Sequence, residues 1–382
     1  MNIILHDFGK HLNFAPLTLT RPLGDLRVGI FTNAERWKEL IPEASISFKT
    51  STYLQNVFPL IKKEENLWWN ASVIPTLEVL TYIQNLAKGE SLFIDGTWVA
   101  YKGEELADGM QIEIPISSVI VLEERWNLFQ YNDKILENDF LIKKRLKISA
   151  DLPASCTLIG PREKLFIAPS AKLECAILNT NTGVIYLDEH SEIMEGSVVR
   201  GGLYLGEHAA LKLATKIYGA TTIGPHCKVG GEVNNVIFQA YSNKGHDGFV
   251  GNSVIGEWCN LGADTNTSNL KNNYGKVKAY DFESGSVKQT DVQFMGLMMG
   301  DHSKSGINTM FNTATVVGVS STVFGAGFPP KYIPSFSWGG FDSNSKFNFE
   351  KAIEAANNMM VRRGLQLSKH EVEVLEHIFH SF

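Results

Sequence analysis

The chain of 382 residues has no apolar run approaching the roughly 20 residues that a membrane-spanning helix needs. Its opening decapeptide, MNIILHDFGK, holds one short apolar stretch that His6 and Asp7 interrupt, so it does not read as a signal peptide. Positive charge is not in excess: 35 Lys and Arg stand against 41 Asp and Glu, a net charge of −6, which argues against a nucleic-acid partner. Small anions remain possible substrates, because a few local cations suffice for them. Cysteine is scarce. Cys156, Cys175, Cys227 and Cys259 lie far apart with no CxxC pair, and read as reduced thiols in a cytoplasmic protein.

Three textures divide the length into 1–150, 151–345 and 346–382. The first mixes short apolar runs with helix-like stretches. NIIL and SLFIDGTWVAY read as strands bounded by turn formers, and Pro75 to Leu86 as a helix with Leu77, Leu80 and Ile83 along one side. Strands alternating with helices imply an α/β layer. The third region keeps helical spacing in Phe349, Ile353, Ala356 and Met360. Ser368 and Glu371 form a capping box before a second helix, so this region reads as an α-helical tail on the end of the preceding domain.

The middle region loses helical periodicity and gains a repeat. Leu187, Ile193, Val199, Leu205, Leu211, Ile217, Ile223 and Val229 follow one another by six. The residues four further on, from Ser191 and Ser197 to Cys227 and Val233, are mostly small. Met299, Ser305, Phe311, Val317 and Val323 repeat the rhythm downstream. An α-helix would scatter such positions around its axis, and an isolated strand gives no reason for a turn every six residues. Hexads fit a parallel β-helix: three short strands and three corners per 18-residue coil, with the branched residue inside. The expected fold is therefore an α/β domain, a β-helix and a helical tail.

Two stretches break the rhythm, 234–254 and 265–298. Within the second, VKAYDF and VKQTDVQF flank ESGS and read as a hairpin arm. Within the first lies SNKGHDGF. His246 is there beside Lys244 and Asp247, and an imidazole suits general-base work near neutral pH. Lys216 and Asn234, 18 apart, are expected to stack on one face near it, with the cation available for a substrate phosphate. His190, His208 and His226 are also spaced by 18 and should form a column. A solvent-facing corner is the preferred reading of that column over a metal site.

The segment KGHDGFVGNSVIGEWCNLGADTNTSN, continued by GLMMGDHSKSGINTMFNTATVVG, resembles the acetyltransferase part of the bifunctional uridylyltransferase/glucosamine-1-phosphate N-acetyltransferases, over most of 180–330. The resemblance implies a left-handed coil, acetyl-CoA as co-substrate and an amino-sugar phosphate as acceptor. It also implies a homotrimer with the acetyl site between subunits. It makes His246 the base, Lys216, Asn234, Lys244, Phe249 and Asn260 substrate contacts, and Ala263, Asn269 and Ala326 acetyl-CoA contacts. Asn234 and Phe249 depart from the lysine and tyrosine usual there. In the first region PLTLTRP resembles sugar-1-phosphate nucleotidylyltransferases, which implies UTP and Mg²⁺. The glycine-rich phosphate loop is missing: Gly9 stands alone, with Lys10, Arg21 and Arg27 as substitute charges and Asp7 and Asp95 as candidate metal ligands. The rival readings are an acetyltransferase whose first domain only binds, and a metal-dependent hydratase built on a trimeric β-helix.

Overall fold

The structure, a computed structural model, describes residues 1–115, 119–145, 147–340 and 344–382. The first domain is a six-stranded sheet: β1 (Asn2–His6), β2 (Ser45–Lys49), β3 (Asn66–Asn70), β4 (Glu90–Ile94), β5 (Thr97–Gly103) and β6 (Met110–Glu113). The order is β2-β1-β3-β5-β4-β6, and β5 runs against both neighbours. Asp95 and Gly96, both at positive φ, turn the β4–β5 hairpin. Its helices are α1 (Asn33–Leu40), α2 (Leu77–Asn85), α3 (Asn127–Gln130) and α4 (Asn132–Lys144). In α2 the cap is Thr76 and the buried side is Val79 and Ile83. Leu77 faces outward, contrary to the expected stripe, because six residues separate it from Ile83 and put it about 120° around the helix, whereas Val79 is one turn from Ile83.

The middle region is the expected β-helix, left-handed in kind. Strands on its third face, from Lys172–Leu173 through Glu192–Ile193, Ala210–Leu211 and Lys228–Val229 to Thr322–Val323, pair in parallel along its length. Ile193 lies opposite Leu211, Val199 opposite Ile217 and Leu187 opposite Leu205, each 18 residues on. All eight residues of the hexad series are buried, with Cys227 and the other small residues beside them. The second face reads apolar inward and outward alike: LFI at Leu165–Ile167, IYL at Ile185–Leu187, LYL at Leu203–Leu205. Two-sided burial explains this. Phe166, Tyr186, Tyr204, Ile237 and Val254 point out of the coil into the core of the α/β domain, so one apolar cluster spans both.

Polar contacts tie the same seam. Thr222 donates to the Gly29 carbonyl (2.7 Å), Gln239 pairs with the Arg27 backbone (2.7 and 3.0 Å), and Arg21 reaches Asp301 (2.6 Å) and Glu257 (2.9 Å) on the coil. The expected hairpin arm, Lys278–Asp281 with Ser286–Gln289, turns back as a brace: Tyr280 stacks on Tyr332 at 3.5 Å and Lys288 pairs with Glu124 at 3.0 Å. The tail forms α5 (Phe349–Val361) and α6 (Lys369–Ser381), the latter with the Ser368–Glu371 capping box. Ala352, Val374, Leu375 and Ile378 pack on Val319 and Phe336 of the coil and on Leu54 of the first domain, so the tail clasps both rather than capping one end.

The break at 234–254 does not leave the coil. It shortens it. Val233 follows Val229 by four residues instead of six, across Gly230–Gly231, and Phe238 follows Val233 by five. The register therefore slips to Lys216 opposite Glu232 and Tyr218 opposite Asn234. The expected Lys216–Asn234 stack is not formed, because two residues are missing from the intervening corner.

Candidate functional site

Beside the loop that carries His246 lies a cleft of about 920 Å³. Its floor is the third face of the coil, from Lys228 through Asn243 and Asn260 to Lys304. Its roof is the end of α5, where Arg362 and Arg363 follow Val361; cations suit a helix C-terminus because they complement its exposed carbonyls. One wall is His246, the other Tyr241 and Trp258. Among the described residues, five cations line the cleft (Lys212, Lys228, Lys304, Arg362 and Arg363) and no carboxylate does. None of the five is in an ion pair among the described residues. Burial lowers the Lys304 ammonium from its ordinary value, an unpaired cation being costly there.

His246 is exposed, and its ring makes no hydrogen bond among the described residues. The ladder of third-face bonds supplies the loop's second feature. Lys212 donates to Val229 (2.8 Å), Gly230 to Lys244 (2.6 Å) and Gly262 to Ser305 (3.0 Å), but Gly245 makes no such bond. The Gly245 N–H therefore sits unpaired where that residue lines the cleft.

The structure gathers His246, Asn260 and Ala263 here. It puts the other expected contacts elsewhere. Lys244 is inside the coil, 1% exposed, and its ammonium holds backbone carbonyls rather than facing the cleft. Lys216 lies around the corner with Arg200 and Tyr218, in a separate cavity against α4. Asn234 neighbours Tyr218 there in register. Phe249 and Asn269 flank Gly251, where an added Cβ would come within 2.7 Å of both, and Asn269 donates to Asn252 (2.7 Å). Ala326 is exposed in the loop after Thr322–Val323. Arg362, Arg363, Lys212, Lys228, Lys304, Tyr241 and Trp258 were not singled out in the sequence. The arginines lie more than a hundred residues from His246, and only the fold closes that distance.

The histidine column forms as expected and continues beyond it. His190, His208 and His226 stack at 4.8 and 5.0 Å, and then Tyr241 (4.7 Å) and Trp258 (4.1 Å) extend the stack into the cleft wall. All five stand at φ between 54° and 60°, one corner repeated. Near-parallel rings 4.8 Å apart do not converge on one ion, whose bonds to two imidazoles are about 2.0–2.1 Å each.

In the first domain the substitute charges are already engaged. Arg21 is bound to Asp301, Glu257 and Asp25, and Arg27 to Glu35 (2.7 Å) and the Ile30 carbonyl. Lys10 pairs with Glu123 (2.6 Å), and Gly9 at φ 75° opens the turn before it. Asp7 accepts from the Leu23 N–H and from Thr50. Asp7 and Asp95 follow β1 and β4, three strand spacings apart or about 14 Å, so they do not fit a shared Mg²⁺.

Residues 3–146 match a family model described as sugar nucleotidyl transferase. Bifunctional protein GlmU of Methanocaldococcus jannaschii is 37% identical over 87 residues, 23% of this chain and 21% of that protein. The chain thus matches about a fifth of that relative's length. Among solved structures, the polySia-specific acetyltransferase NeuO aligns at 13% identity over 51% of this chain and 83% of its own, with a TM-score of 0.25. The UDP-N-acetylglucosamine acyltransferase from Campylobacter jejuni aligns at 14% identity over 56% and 96%, with a TM-score of 0.23.

Proposed function

We propose that the chain transfers an acetyl group from acetyl-CoA to the amine of an amino-sugar 1-phosphate, with glucosamine 1-phosphate the first acceptor to test. The observation that carries this reading is the exposed, unbonded His246 in a cleft with five cations and no carboxylate, in a chain of net charge −6. Both the proposed acyl donor and the proposed acceptor carry phosphates, and unpaired Lys and Arg side chains suit them.

In this mechanism the acceptor nitrogen attacks the thioester carbonyl while the His246 imidazole takes the amine proton. The Gly245 N–H donates to the oxygen as it gains charge. The C–S bond then breaks, the thiolate leaves, and imidazolium returns the proton to it. The N–C bond formed and the C–S bond lost balance without any redox partner. The exposed Ile159, Ile177 and Val198, on the successive coil strands Thr157–Ile159, Ile177–Asn179 and Val198–Arg200, support assembly with further copies, a trimer in the proposed arrangement.

The match of residues 3–146 supports a nucleotide-sugar context for the first domain, with uridylyl transfer from UTP as its fuller form. The engagement of Arg21 and Arg27 by carboxylates favours a second reading, in which this domain binds and braces but does not transfer. Thiol release from acetyl-CoA, dependent on glucosamine 1-phosphate, tests the first activity. Pyrophosphate release from UTP and N-acetylglucosamine 1-phosphate tests the second.

A further inference from the structure

The inward positions of the third face on either side of Lys244 hold apolar residues, Val229 before and Leu261 after. Lys244 takes the same kind of position opposite Val229, and it is buried. A lysine inside a coil of Leu, Ile and Val needs a reason, since its charge must be desolvated. The reason is geometric. The corner Gly230–Gly231 has lost two residues, which leaves room for the ammonium and turns carbonyls toward it. Nζ donates to the Gly230 carbonyl at 3.0 Å and to the His246 carbonyl at 2.8 Å. Gly231, at φ 74°, is part of the fit: a Cβ there would meet Nζ at 2.8 Å and the Gly248 carbonyl at 2.8 Å.

His246 has nothing else to hold it. Its ring makes no bond among the described residues, and the Gly245 amide has left the ladder. The loop is tied on its far side by the Asp247 and Gly248 carbonyls, which accept from Asp264 (3.0 Å) and Glu232 (3.1 Å). We propose that Lys244 is a positioning residue for His246: from inside the coil, its ammonium fixes the His246 backbone so that the imidazole is presented to the cleft. This rests on the acyl-transfer reading for its purpose, but not for its test.

Burial lowers the Lys244 ammonium to about 8, against Asp247 and Asp264, which raise it, and with Lys216, which lowers it further. Charge-assisted bonds to the two carbonyls therefore weaken as pH rises through that value.

Site-resolved amide hydrogen exchange on the full-length protein, wild type beside Lys244→Met, reads the loop without turnover. The reporters are the Asp264 and Glu232 amides, and the control is Lys212, which donates to Val229. The reporters should exchange about tenfold faster in the variant with the control unchanged, and kcat for acetyl transfer should fall about tenfold or more at constant KM, as small misplacements of a reacting group do. A folded variant with unchanged reporters and unchanged kcat overturns the proposal. Should Lys244→Met fail to fold, the wild type still decides. Its reporters, corrected for intrinsic base catalysis, should lose protection above about pH 8 relative to Lys212; parallel behaviour to pH 10 overturns it. If wild type transfers no acetyl group, the functional reading fails, and the exchange data still judge the strut.

Discussion

The Lys244 ammonium lies 2.8 Å from the His246 carbonyl oxygen, on the inside of the coil, while the His246 imidazole stands outside it. Backbone and ring are therefore separable. Substituting the ring should leave the fold intact and remove only the chemistry.

His246→Ala should keep the thermal transition of wild type, because the lost ring is exposed and unbonded. Its kcat for thiol release should drop by about 10²–10⁴-fold, the usual worth of a general base. Turnover within a factor of two of wild type at neutral pH would remove His246 from the mechanism.

Replacing both Arg362 and Arg363 by Ala should raise KM for acetyl-CoA by about tenfold or more, with a smaller change in kcat, because charge-assisted bonds to phosphate contribute about 1.5–3 kcal/mol each. The wild-type KM should also rise with added salt and the variant's much less, which initial-rate measurements at two ionic strengths would show. Equal salt dependence in both proteins would place the anion elsewhere.

Arg21→Ala should destabilise the chain by about 3–5 kcal/mol, since it leaves Asp301 and Glu257 without their cation at a buried seam. Burial alone would raise the Asp301 carboxyl. Arg21 and the Thr20 hydroxyl outweigh it and hold that group below the ordinary carboxylate range. The urea midpoint reads the loss. A shift under about 1 kcal/mol would mean that the ion pairs of Arg21 do not hold the seam.

The same seam makes stability depend on pH. Burial, opposed by Arg21 and assisted by Glu257 and Glu35, pushes the Asp25 carboxyl up to about 7, with 26% of its side chain still accessible. The unfolded value is about 3.9. The folded state then holds the proton more tightly, so this stability is full below about pH 4 and is lost as pH rises to about 7. Asp25→Asn should gain thermal stability over wild type at pH 8 and little at pH 4. An equal gain at both would assign the effect to packing rather than to the proton.

The coil was readable in the sequence because its cause is local and repeated. A branched residue every six positions, from Leu187 to Val229, can face one interior only if the chain turns every six, and Ile193 opposite Leu211 shows the resulting period. The capping box at Ser368, the hairpin arm and the histidine column were legible for the same reason: each depends on neighbours in sequence or on the period itself. His246 stood out because its loop interrupts that period.

What the tertiary structure alone decided is everything that depends on counting residues through an irregular corner or on meeting a distant element. The two residues missing at Gly230–Gly231 are not legible in the pattern, yet they move Asn234 beside Tyr218 and make room for Lys244 inside; with a third missing between Val233 and Phe238, they put Tyr241, 15 residues beyond His226, on the column. Arg21, expected to supply charge for a nucleotide phosphate, is paired with carboxylates more than two hundred residues away, and the cleft gained Arg362 and Arg363 from a helix that follows the coil. Periodicity is a property of neighbours and survives in the sequence. Register and charge pairing are set by long-range packing, and a slip of one or two residues rewrites both.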